Sequence, residues 1–288
     1  MRSRCFFCYN EKNKDDFFGW KGVKKMGIAE VHPFAKSIIM EAGERIRHSF
    51  SEKWKIETKA DANDLVTNID RETELFFIKK IKEFDASFKI LGEEGMGEKI
   101  DSLDGVVWIV DPIDGTMNFI RQHRNFAISI GVYVDGIGKL GYVYDVMRNQ
   151  LYYGIDGQGA FMNEVPLKPL KPISLEKSII GMNAIWVTPN KKIEHEPMTD
   201  LIRRIRGTRS YGSASLEIAS VACGRMDAYI SLRLSPWDIA GGAIIAKEVG
   251  AITSSLKNEL INLSNQDTFI VANPGIHQEI IENYIKLK

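Results

Sequence analysis

The chain has 288 residues, and its 38 lysines and arginines are balanced by 38 aspartates and glutamates, so the formal net charge is zero. Apolar residues make up 44% and charged residues 26%, the balance of a globular protein large enough to bury a substantial core. A polyanion binder carries a basic surplus, so nucleic acid is argued against as the main partner. No apolar run approaches the roughly 20 residues of a membrane span, and the basic N-terminus lacks the apolar segment of a secretion signal. Cys5, Cys8 and Cys223 are too few and too oddly placed for a disulfide framework, and no nearby ligand completes a zinc site around Cys5 and Cys8. These features lead us to expect a cytoplasmic protein with no membrane segment. Residues 1–28 are expected to be a poorly ordered extension, ahead of a single domain over 29–288.

Apolar residues at helical spacing predict an amphipathic helix over 29–50 (Phe34, Ile38, Ile39, Ala42, Ile46), and a second from about Asp70 to Phe84. Short strands follow at 88–91 and 106–111, the latter β-branched and aromatic as in a buried strand. From 127 to 161, glycine-broken strands predict an antiparallel meander. Beyond it come strands at 178–182, 208–211, 228–231 and 268–272. Helices are expected at 195–204, 213–223 and 237–249, and from Pro274 onward. Pro166, Pro169 and Pro172 mark a seam between an α+β half (about 29–165) and a more α/β half (about 166–288). This alternation predicts a layered α/β or α+β sandwich.

Four segments carry the chemistry. In 108–118 (WIVDPIDGTMN) an apolar strand ends at Asp111, a proline turns the chain, and Asp114 follows three residues later. Buried carboxylates are costly unless paired or bound to metal. Two converging across a rigid turn offer hard oxygens suited to Mg²⁺. Gly115 and Thr116 then open a helical turn whose free amides can receive a phosphate. A plain Asp-Pro-x-Asp-Gly turn is the competing explanation. Gly92-Glu93-Glu94 stands where a strand ends, either at a ligand site or in a solvated loop. Asp238, in SPWDIAGG, and Asp70, in DLVTNID, begin helices, where capping would also account for a carboxylate.

In order and spacing, DLVTNID, GEE, WIVDPIDGTMNF and SPWDIAGG resemble the inositol monophosphatase family, and the likeness runs from about Glu30 to the C-terminus. The resemblance implies a five-layered αβαβα sandwich of the inositol monophosphatase and fructose-1,6-bisphosphatase type. It implies a homodimeric, lithium-sensitive hydrolase of a small phosphorylated metabolite, using two or three Mg²⁺ ions. Glu93, Asp111, Asp114 and Asp238 would be carboxylate ligands, and Ile113 would lend its carbonyl. Asp70 and Thr116, with Glu94 close by, would orient and activate the attacking water. Gly115 and Thr116 amides would hold the phosphate, Ser213 and Ala214 would lie beside the substrate, and Lys59 would be a basic neighbour. Phosphoryl transfer needs positioning and charge neutralisation, so direct attack by metal-activated water without a phosphoenzyme is expected.

The chain departs from the family pattern at Ser231. Inositol-specific members carry a glutamate seven residues before the W-D aspartate, where it contacts ring hydroxyls; a serine offers no charged acceptor. Inositol 1-phosphate remains the first expected substrate. Fructose 1,6-bisphosphate, 3′-phosphoadenosine 5′-phosphate and NADP are the alternatives, and a binding or regulatory protein on a phosphatase scaffold is the reading of another class. Three further signals are set aside. Gly136-x-Gly-x-x-Gly141 lies between strands and reads as a hairpin rather than a dinucleotide loop. Ser213 and Ser215 have a capping explanation. Arg203, Arg204, Arg206 and Arg209 read as a solvated helix end, with a second phosphate or a subunit contact as the alternative.

Overall fold

The structure, a computed structural model, describes residues 27–51, 53–58, 65–98, 100 and 102–288. Lys59, Asp64, the Cys5 and Cys8 pair and most of the expected N-terminal extension lie outside the described residues. Helix α1 (Ile28–Ser49) is followed by strands β1 (Ile56–Thr58) and β2 (Leu65–Thr67), which pair antiparallel, and by helix α2 (Asn68–Phe84). Next come β3 (Lys89–Gly92), β4 (Val106–Asp114) and the short helix α3 (Thr116–Gln122). The expected meander is present as β5 (Ala127–Val134), β6 (Ile137–Asp145), β7 (Gln150–Ile155), β8 (Gly159–Met162) and β9 (Val165–Pro166). The rest of the chain comprises β10 (Ile179–Met182), α4 (His195–Arg204), β11 (Gly207–Arg209), α5 (Ala214–Ala222) and β12 (Ala228–Leu234). It ends with α6 (Pro236–Glu248), β13 (Ile252–Ser254), β14 (Asp267–Ala272) and α7 (His277–Tyr284).

Strands β3 to β9 form a seven-stranded sheet in sequence order, with β3 parallel to β4 and every later pair antiparallel. A five-stranded sheet runs β11-β10-β12-β14-β13, parallel at β10 and antiparallel around β14. Two-residue periodicity sorts the cores between layers. On β4, Val106, Trp108 and Val110 pack beneath α1 and α2, while Val107 and Ile109 face α5 and α6. On β14, Phe269 and Val271 face that same middle layer, and Ile270 and Ala272 face α4 and α7. The result is the expected αβαβα sandwich.

Residues 136–141 belong to the β5–β6 hairpin: its turn is Asp135-Gly136, with φ of 50° and 77°, the left-handed pair of a tight two-residue turn, and 137–141 run into β6. Strand β4 runs three residues beyond its expected end, because the pairing with β5 resumes at Asp114 and Ala127 after an irregularity that accommodates Pro112. The last helix starts at His277 rather than just after Pro274, since Asn273 Oδ1 first accepts the Gly275 amide in a turn. Helix α6 lies unusually close to the sheet. A Cβ at Gly141 would stand 2.2 Å from the Gly241 carbonyl oxygen, and one at Gly241 would stand 2.5 Å from that of Tyr142.

Candidate active site

Strand β4 is buried along its whole length and delivers Asp111 and Asp114 at its C-terminal end, 1% and 7% exposed. Asp238 reaches the same point from the first turn of α6, where Pro236 occupies the opening positions and the Ser235 amide donates to Asp238 Oδ2 at 2.7 Å. The three residues can each offer an oxygen within 4.8 Å of the others. Among the described residues, Asp111 Oδ2 is buried with no hydrogen-bond donor, while Oδ1 accepts the Ile113 amide at 3.0 Å. The Glu93 amide donates to the Val110 carbonyl, which fixes this glutamate beside the strand end.

Burial, and then the charges of Glu93, Asp114 and Asp238, push the Asp111 carboxyl well above the usual carboxylate range. Asp238 is raised in the same way, by burial and then by Asp114. Asp114 is raised by burial, against hydrogen bonds that favour its ionised form. These are the Ser213 hydroxyl (2.6 Å), the Ala214 amide (3.2 Å), the Ser215 amide (2.6 Å) and the Ser215 hydroxyl (2.5 Å). Like charges forced together around an orphan oxygen, with the Arg233 charge a minor offset at Asp238, suit a hard divalent cation with oxygen preference. The donor set therefore fits Mg²⁺.

Asp70 is fully buried, and Thr67 and Asp70 form a capping box at the start of α2. The Thr67 hydroxyl and amide both donate to Asp70 Oδ2, at 2.5 and 2.9 Å. On the other oxygen, Thr116 Oγ1 lies 3.3 Å from Asp70 Oδ1 and 3.2 Å from the Ile113 carbonyl. Burial raises the Asp70 carboxyl to about 6, with the Glu94 charge adding to the rise. Asp70 and Asp238 thus each cap a helix and also reach the site, Asp70 at Thr116 and Asp238 at Asp111 and Asp114. Gly115 takes a left-handed φ of 95°, and a Cβ there would stand 3.1 Å from the Gly212 carbonyl, so glycine is required twice over.

Asp70, Glu93, Glu94, Asp111, Ile113, Asp114, Gly115, Thr116, Ser213, Ala214 and Asp238 thus form one neighbourhood. Ser213 also caps α5, accepting the Leu216 amide at 3.4 Å. Ser231 is 7% exposed, and its hydroxyl sits on the backbone of Arg233 at an irregularity in β12. The arginine run is largely tied down: Arg203 pairs with Asp200, and Arg204 with Glu176, Glu279 and the Tyr284 hydroxyl. Four residues escaped sequence reasoning. Ser215 donates twice to Asp114. Asn118 Nδ2 joins the carbonyls of Asn125 and Tyr211. Glu74 and Glu217 are buried acids that accept loop amides, Glu94 and Met96 for the first, Tyr211 and Gly212 for the second. A glutamate on the apolar face of a helix was the available signal for both.

The model of the inositol monophosphatase family matches residues 28–287. An inositol-1-monophosphatase of Bacillus subtilis is 52% identical over 256 residues, covering 89% of this chain and 97% of its own. The SaIMPase-II structure with inositol monophosphate bound superposes with a TM-score of 0.80 at 43% identity, covering 88% of this chain and 93% of that one. An IMPase/NADP phosphatase complexed with Mg²⁺ and phosphate gives 0.82 at 27% identity, covering 90% and 98%. With the fold, the acidic centre and these likenesses in agreement, the chain belongs to the inositol monophosphatase family.

Proposed function

We propose that the protein is a Mg²⁺-dependent phosphoric monoester hydrolase with inositol 1-phosphate as its first substrate. The observation that carries this reading is the convergence of Asp111, Asp114 and Asp238, three acids that can each offer an oxygen within 4.8 Å of the others. In this reading Glu93, Asp111, Asp114, Asp238 and the Ile113 carbonyl hold two or three ions. Bound there, Mg²⁺ neutralises phosphate charge and acidifies water. Asp70 takes the proton of the attacking water through Thr116 Oγ1, and a carboxyl near 6 is suited to accept it at neutral pH. Glu94 adds charge beside Asp70. The amides of Gly115 and Thr116 hold the phosphate, with Ser213 and Ala214 beside it. We take the enzyme to be a cytoplasmic homodimer, single-domain over 29–288, and inhibited by Li⁺ at the same oxygens. Family resemblance supports the dimer and the lithium sensitivity. For the cytoplasm, the support is that no helix among the described residues is long and apolar enough to cross a membrane.

Ser231 favours a second reading in which the substrate range is wider. With a hydroxyl in place of a carboxylate, the ring-hydroxyl pocket loses a charged acceptor and discriminates less between polyols and ribose esters. SaIMPase-II also has a structure with 2′AMP bound. The test is phosphate release with Mg²⁺ from inositol 1-phosphate, fructose 1,6-bisphosphate, 3′-phosphoadenosine 5′-phosphate, 2′-AMP and NADP, comparing the native chain with Asp114→Asn. Release that depends on Mg²⁺ and is lost in Asp114→Asn is the expected result. A folded, Mg²⁺-binding protein that releases phosphate from none of them would overturn the enzyme reading.

A further inference from the structure

Helix α2 reaches the site at two levels. Asp70 in its first turn meets Thr116, and Glu74 lies one turn further on the same face. Glu74 is 0% exposed, and among the described residues no lysine or arginine pairs with it. Its two oxygens accept two backbone amides: Oε2 takes that of Glu94 at 2.7 Å and Oε1 that of Met96 at 2.8 Å. Gly92, where the chain leaves β3, is pressed onto the same carboxylate; a Cβ there would stand 2.4 Å from Glu74 Cδ. Burying a carboxyl group in such a place is costly, and two short hydrogen bonds from backbone amides are what offset the cost.

Those two bonds hold the segment 94–96, which carries Glu94 and follows directly on Glu93, in a stretch that would otherwise be a loop with more freedom of conformation. Glu93 is also held from the other side, by its amide on the Val110 carbonyl. We propose that Glu74 is a positioning residue for the metal centre. It sets the height of Glu93 over Asp111 and of Glu94 over Asp70, so that a single rigid helix carries both the proton acceptor and the anchor of the ligand loop. The idea rests on Glu93 being a Mg²⁺ ligand. A residue that orders a ligand from behind makes itself felt in metal affinity before it is felt anywhere else.

The test is calorimetric titration of Mg²⁺ into the metal-stripped full chain, without substrate, alongside a thermal melt of each stripped protein. Glu74→Gln keeps the size of the side chain but turns one acceptor into a donor facing an amide. The expected result is Mg²⁺ binding weakened by about 10-fold or more. Ile81→Val, a buried change in the same helix away from the loop, should lower the melting temperature and leave Mg²⁺ affinity at the native value. Should Glu74→Gln fail to fold, Glu74→Asp retains the charge, withdraws it by one methylene, and should weaken Mg²⁺ binding in the same direction. Native Mg²⁺ affinity in a folded Glu74→Gln or Glu74→Asp would overturn the proposal while leaving the metal centre standing. Equal weakening in Ile81→Val would overturn it too, by reducing Glu74 to a stabiliser. Absence of Mg²⁺ binding in the native chain would remove the metal centre and the proposal together.

Discussion

Gly241→Ala sets two physical rules against each other. Inside a helix, alanine is worth about 1 kcal/mol more than glycine, so propensity alone forecasts a more stable protein. The packing forecasts the reverse. A Cβ at Gly241 would meet the Tyr142 carbonyl at 2.5 Å, the Ile130 carbonyl at 2.8 Å and Ser129 Oγ at 2.9 Å. Ordinary non-bonded contact needs about 3.5 Å, so α6 must lift from β5 and β6 by about 1 Å. The two nearest of these atoms are backbone carbonyls of β5 and β6, which no side-chain rotation can move. Overpacking of this kind costs about 1–3 kcal/mol, enough to cancel the propensity gain. The lift also carries Asp238, three residues upstream, away from Asp111 and Asp114 on the unmoved strand. A misplacement of about 1 Å can lower turnover by about 100-fold. Urea unfolding and Mg²⁺-dependent turnover of Gly241→Ala would read both effects. A variant as stable as the native chain, or more so, and equally active would refute the claim that this glycine contact sets the depth of Asp238.

Two other changes separate chemistry from architecture. Thr116→Val keeps the shape of the side chain and removes the hydroxyl that bridges Asp70 Oδ1 and the Ile113 carbonyl. Steady-state kinetics should show kcat falling by about 100-fold or more with KM and melting temperature little changed; unchanged kcat would remove Thr116 from the proton path. Burial raises the Glu217 carboxyl from its ordinary 4.5 to about 7, against the Tyr211 and Gly212 amides that favour its charge. Since the folded value exceeds the unfolded one, the stability linked to this group is present below pH 4.5 and is lost as pH rises through 7. Between pH 5 and pH 8 the metal-free native chain should lose about 2 kcal/mol relative to Glu217→Gln, measured by urea unfolding at each pH. A stability difference that does not vary with pH would show that Glu217 is charged throughout.

The parts of the site legible in the sequence are those whose chemistry is local. Asp111, Pro112 and Asp114 announce a strand end with converging acids, because the strand, the turn and the carboxylates are contiguous. The W-D pair opening α6 is of the same kind. The layered fold class followed from periodicities long enough to register, such as the apolar stripe of α1, in which Ile38, Ile39, Ala42 and Ile46 are buried and Phe34 packs against them. Strands β1, β2 and β13, each three residues long, offered no alternation to detect. What stayed hidden were relations across distance. Glu74 stands out only as an acid on the apolar face of α2, and its role stays hidden until its partners, twenty and more residues away, fold over it. Ser215 reads as part of a helix start, and only the tertiary approach of Asp114 turns its hydroxyl into a donor for the acidic centre. Arg204 looks like a free basic end because Glu176 and Glu279, which hold it, lie on separate elements.

The acids of the centre are contributed by β4 and by α6, well over a hundred residues later, and the two elements meet only when α6 settles on the large sheet. Contacts of such sequence separation are slow to form, since the intervening chain must be ordered first. An ion that needs both elements cannot bind a chain that has folded only its first half, so Mg²⁺ gains its full set of ligands late in folding. Its stabilisation then falls mainly on the native side of the folding barrier. Added Mg²⁺ should therefore lengthen the lifetime of the native protein against unfolding while leaving the rate of refolding nearly as it was.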